Sequence, residues 1–321
     1  MLPKKLLGVL RKKQNKVFLV SAHISLEGDA LGSELALASL LKRLGKKVIV
    51  LNQDEPPREY SFLPGLGSIR RKVILPDYDV AVLVDCSDIS RIGKAAKALR
   101  KDRLLVNIDH HISNTMFGDI NWVKPNASCA SEMVYELFKA LNVKINKNEA
   151  LCLYTGILAD TGSFKYSTTS SFTHLVTSEL LKHHLDVYGI YRHINESLDV
   201  RTVKALGKVI ETLKVGQKGK LAWLEVKNGL IKKEPALAYM TDDIIYFARA
   251  IKGVEVALLF KEIKAGREVR VNLRSLGKVD VNKLAGLFGG GGHKMASGCT
   301  LKGSLKDVVN RFIAEAQRRI Q

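Results

Sequence analysis

The stretch KVFLVSAHISLEGDALGSELALASLLKRLGKKVIVLN, residues 16–52, reads as strand, helix, strand. Residues 16–23 are a short apolar, β-branched run of the kind a buried parallel strand requires. Apolar residues over 30–44 recur at helical spacing, and Gly45 follows as a C′ glycine. Residues 47–52 form the second strand. A helix between two strands is the crossover that parallel neighbours need. Working outward, DVAVLVDCS (79–87) and RLLVNIDHH (103–111) give two further strands. Residues 131–142, 149–160 and 171–184 read as helices. The pattern predicts an α/β domain, a mostly parallel sheet with helices on both faces.

The texture changes after about residue 213. GKLAWLEV (219–226), VEVALLFKEI (254–263) and EVRVNLRS (268–275) alternate as strands of a half-exposed sheet do, and 242–251, 281–288 and 305–320 read as helices. A smaller α+β domain is therefore expected to follow the first. The division is placed at 1–190, a helical linker over 191–204, and 205–321. A length of 321 residues fits two domains. Hydrophobic residues at 46% and charged residues at 26% exclude global disorder. No run approaches the roughly 20 apolar residues of a membrane helix. The opening MLPKKLLGVLRKKQNK is too short in its apolar part and too basic after it for a secretory signal. Cys86, Cys129, Cys152 and Cys299 are far apart, so neither a thiolate zinc site nor a disulfide framework is supported, and a reduced, cytoplasmic setting is expected.

Charge is unevenly spread. The chain carries 51 basic and 32 acidic residues, a net of +19. Residues 1–200 hold 27 basic and 21 acidic, whereas 201–321 hold 24 and 11. A basic C-terminal third suits an anionic ligand, against the plainer reading of a lysine-rich solvated surface.

Ends of strands and helices in the first domain carry the chemistry. His23 ends the first strand and is followed by Glu27 and Asp29; Asp85 ends the third; Asp109, His110 and His111 end the fourth; Asp160 ends helix 149–160. In an open parallel sheet, ligands gather outside the carboxyl ends of the strands, so these groups converge in space. Singly, each has a structural role open to it: Asp29 as the N-cap of the helix that follows, Asp85 as a turn cap, Asp160 as the opening of an Asp-Thr-Gly turn. Together, crowded carboxylates repel unless cations lie between them. Oxygen ligands with two or three imidazoles suit Mn²⁺, Mg²⁺ or Fe²⁺, and such ions in pairs, about 3.5–4 Å apart, serve attack on phosphorus.

The set His23-x-x-x-Glu27-x-Asp29-Ala-x-Gly32, Asp85, Asp109-His110-His111 and Asp160-Thr161-Gly162 resembles the four motifs of the DHH phosphoesterases. The run from Gly289 through Gly292, His293 and Lys294 to Gly298 resembles the signature of the DHH-associated C-terminal domain. The resemblance covers residues 23–298. It implies two divalent cations, Mn²⁺ first with Mg²⁺ or Fe²⁺ as alternatives, in an active site in the interdomain cleft. His23 and Glu27 would hold the first ion, and Asp29, His110 and Asp160 the second. Asp85 would bridge both, His111 would touch the scissile phosphate, and Asp109 would orient His110. The family has Pro-Asp where this chain has Leu26-Glu27, which lengthens one ligand by a methylene.

In the second domain, Gly290, Gly291, Gly292 and His293 are candidates for substrate binding, because consecutive glycines can bring backbone amides close to a phosphate and His293 follows them on a basic segment, and the resemblance adds Arg274, since the family has a basic residue in a similar Leu-Arg-Ser segment. A tight turn is the competing explanation of the glycines. A two-domain length without extra modules is most similar to family members acting on short RNA. The implied activity is manganese-dependent hydrolysis of oligoribonucleotides of about two to five nucleotides (nanoRNA) to mononucleotides by metal-bound hydroxide, with dephosphorylation of 3′-phosphoadenosine-5′-phosphate. No membrane partner is expected, and a homodimer is left open. Two alternatives stand beside this: a phosphodiesterase for cyclic or linear dinucleotides, and a nucleotide-binding protein impaired in catalysis by Glu27. An inorganic pyrophosphatase is disfavoured by the glycine run.

Overall fold

The computed structural model describes residues 2–72 and 76–320. The chain divides into two units, Met1–Ser197 and Leu198–Gln321. In the first, strands β1 (Val17–Ser21), β2 (Lys47–Leu51), β3 (Ile69–Arg70), β4 (Val80–Val84), β5 (Leu104–Asp109) and β6 (Ile120–Val123) lie in the order β3-β2-β1-β4-β5-β6. Every neighbouring pair in that order is parallel. The order reverses between β1 and β4, which makes their carboxyl ends a topological switch point, the place where such sheets bind ligands. β3 and β6 are not predicted by the sequence pattern: at two and four residues they are too short for alternation to register.

The two faces of this sheet are covered unequally. Phe18, Val20, Val82, Val106 and Ile108 pack under α1 (Lys4–Arg11), α2 (Gly28–Arg43), α3 (Ala130–Ala140), α4 (Lys147–Asp160), α5 (Ser171–Leu181) and α6 (Val187–Asn195), which share one core. On the other face Leu19, Ala81 and Leu83 lie under Tyr78 and an irregular helical run at Ile89–Ala98. α2 is buried nearly all round, as a central helix must be. It crosses α4 closely because the contact is made of glycine. A Cβ on Gly28 would lie 2.5 Å from the Ala159 Cβ, one on Gly32 would collide with the Cys152 carbonyl, and one on Gly156 would collide with Ser131 Oγ and stand 2.8 Å from Asp29 Oδ1. That crossing carries Asp29, in the first turn of α2, against the C-terminal half of α4, which ends at Asp160.

The second unit is a mixed sheet. Strands β7 (Lys214–Gly216), β8 (Leu221–Val226), β9 (Val256–Lys264), β10 (Glu268–Ser275), β11 (Gly291–Gly292) and β12 (Ala296–Lys302) lie in the order β11-β12-β10-β9-β8-β7, with only the β8–β9 pair parallel. β10 alternates as expected of a half-exposed strand, but β9 does not. Its Val256, Leu258 and Phe260 face α10 (Val281–Gly286) and α11 (Leu305–Gln317), and its Ala257 and Leu259 face α7 (Val200–Ile210) and α9 (Thr241–Arg249). Buried on both sides, β9 reads as a continuous apolar run.

The glycine crossing yields the first prediction. Gly156→Ala should destabilise the protein by about 1–3 kcal/mol through overpacking and displace Asp29. Gly207→Ala, in α7 with open space around the new methyl, should be neutral or stabilising. Denaturant melts of the two variants check this; equal effects would show that the α2–α4 contact tolerates a methyl.

Candidate metal centre

The ends of β1, β4 and β5 and the helices α2 and α4 bring seven predicted residues into one place. His23, Glu27 and Asp85 offer ligand atoms within 4.8 Å of one another, as do Asp29, His110 and Asp160, and Asp85, His110 and His111. Asp85 is common to two of these groups and His110 to two. His23 Nε2 lies 3.2 Å from Asp85 Oδ2 and 3.7 Å from Glu27 Oε1. His110 Nε2 lies 3.4 Å from both Asp85 Oδ1 and Asp160 Oδ2.

The donor chemistry asks for a cation. Asp85 is buried at the switch point, and no described group donates a hydrogen bond to either of its oxygens. Leaving both oxygens of a buried carboxylate unpartnered is costly. His23 Nδ1 donates to the Ile24 carbonyl at 2.6 Å, which leaves Nε2 of the neutral ring as a lone pair facing a carboxylate oxygen. Two acceptors face to face need a positive charge between them, a proton or a metal ion. Where it is a proton, burial would lower the His23 pKa, but the Asp85 and Glu27 carboxylates outweigh it and lift it to about 10. His110 is lifted to about 10 in the same way by Asp85 and Asp160. The carboxylates are frustrated too. Burial, then Asp85, pushes Asp29 up to about 6, and burial with Asp29 raises Asp160 well above the usual carboxylate range. Asp85 alone is held below that range, against its burial, by His110 and His23. Oxygens and imidazole nitrogens at this density fit hard or borderline divalent cations.

These side chains are held to different degrees by their elements. Asp29 does not cap α2; its two oxygens accept the Ala130 and Ser131 amides at 2.6 and 2.8 Å and so close the N-terminus of α3. Asp85 follows β4 directly and has φ +53°, a left-handed conformation that is strained for a side chain with a Cβ. Glu27 is the exposed member, 53% accessible at its side chain, and its backbone serves as the N-cap of α2.

One expected contact is replaced by another. Asp109 Oδ1 accepts from Nδ1 of His111 at 2.7 Å, so it orients His111 rather than His110. The reason is alternation: residues two apart in extended chain share a face, whereas adjacent residues point apart. Behind Asp109 stands a network the motifs did not announce. Asn114 donates to Asp109 Oδ2 at 2.6 Å and to Asn107 Oδ1 at 2.7 Å, and Asn107 donates to the Cys86 carbonyl at 3.0 Å. A second such group lies under His23. Asn52 Oδ1 accepts the Ala22 amide at 3.1 Å, and its Nδ2 donates to Glu34 Oε2 at 2.7 Å; Glu34 is fully buried, with Oε1 unpartnered among the described residues. The available signal was an asparagine ending or interrupting an apolar strand, as in LLVNID and VIVLN.

In the second unit the glycine run is a tight hairpin. The amides of Gly289, Gly290 and His293 donate to Gly286, Ala285 and Ala296 carbonyls of their own turn. Gly289 and Gly292 have φ +70° and +147°, and Gly290 is pressed against Gly298 and Cys299, so three of the four glycines are demanded by the turn. Gly291 alone is open: a Cβ there would find only Asn282 Oδ1 within 4 Å. Arg274 stands on β10 opposite Ala296, and its guanidinium is engaged by Asp242 Oδ1 at 2.7 and 3.0 Å.

Residues 17–157 match the DHH family N-terminal domain, and 235–321 match the DHHA1 domain. The chain is 30% identical over 315 residues to the bifunctional oligoribonuclease and PAP phosphatase NrnA of Thermus thermophilus, covering 97% of this chain and 91% of that one. It is 30% identical over 288 residues to the probable enzyme of the same name from Streptococcus mutans, covering 89% and 90%. Among solved structures, an exopolyphosphatase-related protein from Bacteroides fragilis superposes with a TM-score of 0.88 at 26% identity, covering 98% of this chain and 95% of that one. All four cysteines are free and buried, and among the described residues no helix is long and apolar enough to cross a membrane.

Two outcomes follow. Mn²⁺ should raise the melting temperature of the wild-type protein and bind at about two ions per chain, and Asp85→Asn should lose both effects; a folded variant with unchanged metal content on elemental analysis would refute the shared-ligand arrangement. Glu34 supplies the second. Burial lifts its pKa to about 8, so the native state binds a proton that the unfolded chain releases near 4.5. Its contribution is intact below the unfolded value and is lost as pH rises through about 8. Glu34→Gln should therefore melt above wild type at about pH 9, with the gap narrowing toward about pH 5; a gap independent of pH would rule out a buried neutral carboxyl.

Proposed function

The chain belongs to the DHH family, and we propose that it is a manganese-dependent phosphoesterase that hydrolyses short oligoribonucleotides to mononucleotides and dephosphorylates 3′-phosphoadenosine-5′-phosphate. The observation that carries this reading is Asp85, a buried carboxylate with two unpartnered oxygens between His23 and His110. Relatives alike over nearly the whole chain are named for these two activities. His23, Glu27 and Asp85 would hold one cation, and Asp29, His110 and Asp160 the other, with Asp85 shared. When bound, such cations supply positive charge to the phosphoryl oxygens and acidify water near neutral pH. The chain's own residues do the rest. Asp109 accepts the Nδ1 proton of His111 and leaves Nε2 to meet a phosphoryl oxygen, donating when the ring is protonated. The amides at the start of α3 and the glycine crossing keep Asp29 in place, so little reorganisation is needed as charge develops.

Grip on the substrate is assigned to the basic second unit. Gly291 leaves room for a phosphate, and His293 and Lys294 are exposed beside it. Arg274 would exchange its Asp242 partner for the ligand. The reach of Glu27 to within 3.7 Å of His23 Nε2 favours a working ligand over an impaired site.

The test is a substrate panel with purified protein and Mn²⁺: dinucleotides, pentanucleotides, cyclic dinucleotides and 3′-phosphoadenosine-5′-phosphate. Turnover should be confined to the short linear RNAs and the bisphosphate. Gly291→Val should raise KM for dinucleotides about tenfold, equivalent to ~1.4 kcal/mol, while a small artificial phosphodiester is hydrolysed as before. Turnover of cyclic dinucleotides alone would transfer the assignment to that class.

A further inference from the structure

The chain leaves Asp160 through an unusual backbone. Gly162, Ser163 and Phe164 have φ values of +56°, +60° and +67°, three left-handed residues in succession, two of which bear a Cβ. Single left-handed residues are common in turns; consecutive ones carrying side chains are costly and persist only where their surroundings impose them. Here they are imposed. Thr161 Oγ1 accepts the Phe164 amide at 3.0 Å, the Thr161 carbonyl accepts the Tyr166 amide at 3.0 Å, and the Phe164 ring stacks on His174 at 5.3 Å.

This turn folds Tyr166 back onto Gly162, two residues from Asp160. A Cβ on Gly162 would lie 2.5 Å from the Tyr166 ring, so only glycine lets the ring settle on the backbone there. The ring is not buried for its trouble: Tyr166 remains 40% exposed and stands outside the hydrophobic core. Its neighbour Lys165 holds its ammonium 5.2 Å from the ring centroid. Beside a metal-ligating carboxylate there is thus a strained turn whose product is an exposed aromatic surface with a cation on it.

We propose that Tyr166 is the stacking platform for the base of the nucleotide whose phosphate is held at the metal centre, and so the residue that favours nucleotides over phosphate esters without a base. This rests on the nucleotide reading given above. An exposed aromatic face accepts any base without hydrogen-bond readout, which suits an enzyme for short RNA of mixed sequence. The Lys165 ammonium over the ring shows that this face is open to a flat or cationic partner.

The experiment is equilibrium binding to the full chain with Mn²⁺, using adenosine 5′-monophosphate and ribose 5-phosphate as paired ligands. Tyr166→Ala should weaken the nucleotide about tenfold, equivalent to ~1.4 kcal/mol, and leave the sugar phosphate within about twofold. Tyr166→Phe keeps the ring and should match wild type for both. The monophosphate of 2-aminopurine riboside should be quenched on binding to wild type and Tyr166→Phe but not to Tyr166→Ala. Parallel weakening of both ligands, or none, with wild-type nucleotide binding intact, overturns the platform alone. A wild-type protein that binds neither ligand overturns the nucleotide reading and the platform with it.

Discussion

Mutual repulsion among Asp29, Asp85 and Asp160 is the constraint around which the first unit is built. Three carboxylates within reach of the same imidazole, two of them fully buried and the third partly so, cannot all be ionised unless positive charge joins them. Among the described residues no hydrogen bond relieves this at Asp85. It gives two amides to Asp29 and sets one imidazole beside each oxygen of Asp85, and leaves the remainder for a ligand of opposite charge. The fold must therefore hold the three groups together against their own field. That explains why they stand on the most rigid elements available, the ends of central strands and two buried helices.

Two separate features do the holding. The reversal of strand order between β1 and β4 opens the sheet where His23 and Asp85 leave it, so backbone topology alone brings these two together. Asp29 and Asp160 are on helices, and helices normally stand roughly 8–10 Å apart, about a side chain's thickness on each side. Gly28, Gly32 and Gly156 remove that thickness. A sheet without the glycine crossing would place the strand-borne groups and leave the helix-borne pair too far off to join them.

Much of this is legible in the sequence. Apolar runs mark the four longest strands of the first sheet, helical spacing marks α2, α4 and α5, and the position of each charged group at an element's end points to one edge of the sheet. What escapes is of two kinds. Short elements such as β3 and β6 owe their strand state to pairing with a neighbour, which no local pattern encodes. Partners such as Asn107, Asn114 and Glu34 act through contacts away from their own element, so each looks locally like an ordinary polar residue. Asp109 shows the limit of a motif: the order of letters Asp-His-His says that three groups cluster, and only strand alternation says which imidazole the carboxylate holds.

Glu27 is the place where a longer side chain is least damaging, and the reason lies in its exposure. At Asp29 or Asp85 an added methylene would have to enter a buried site already in contact with amides or imidazoles. At position 27 the side chain is half in solvent and the backbone is an N-cap whose side chain makes no capping bond. The extra length can be taken up by rotation, with some loss of rotamer freedom when a ligand is gripped. Asp29 is held by two amides, whereas the half-exposed Glu27 carboxylate is free to rotate. Tolerance of the longer side chain and its freedom to move are then the same physical fact.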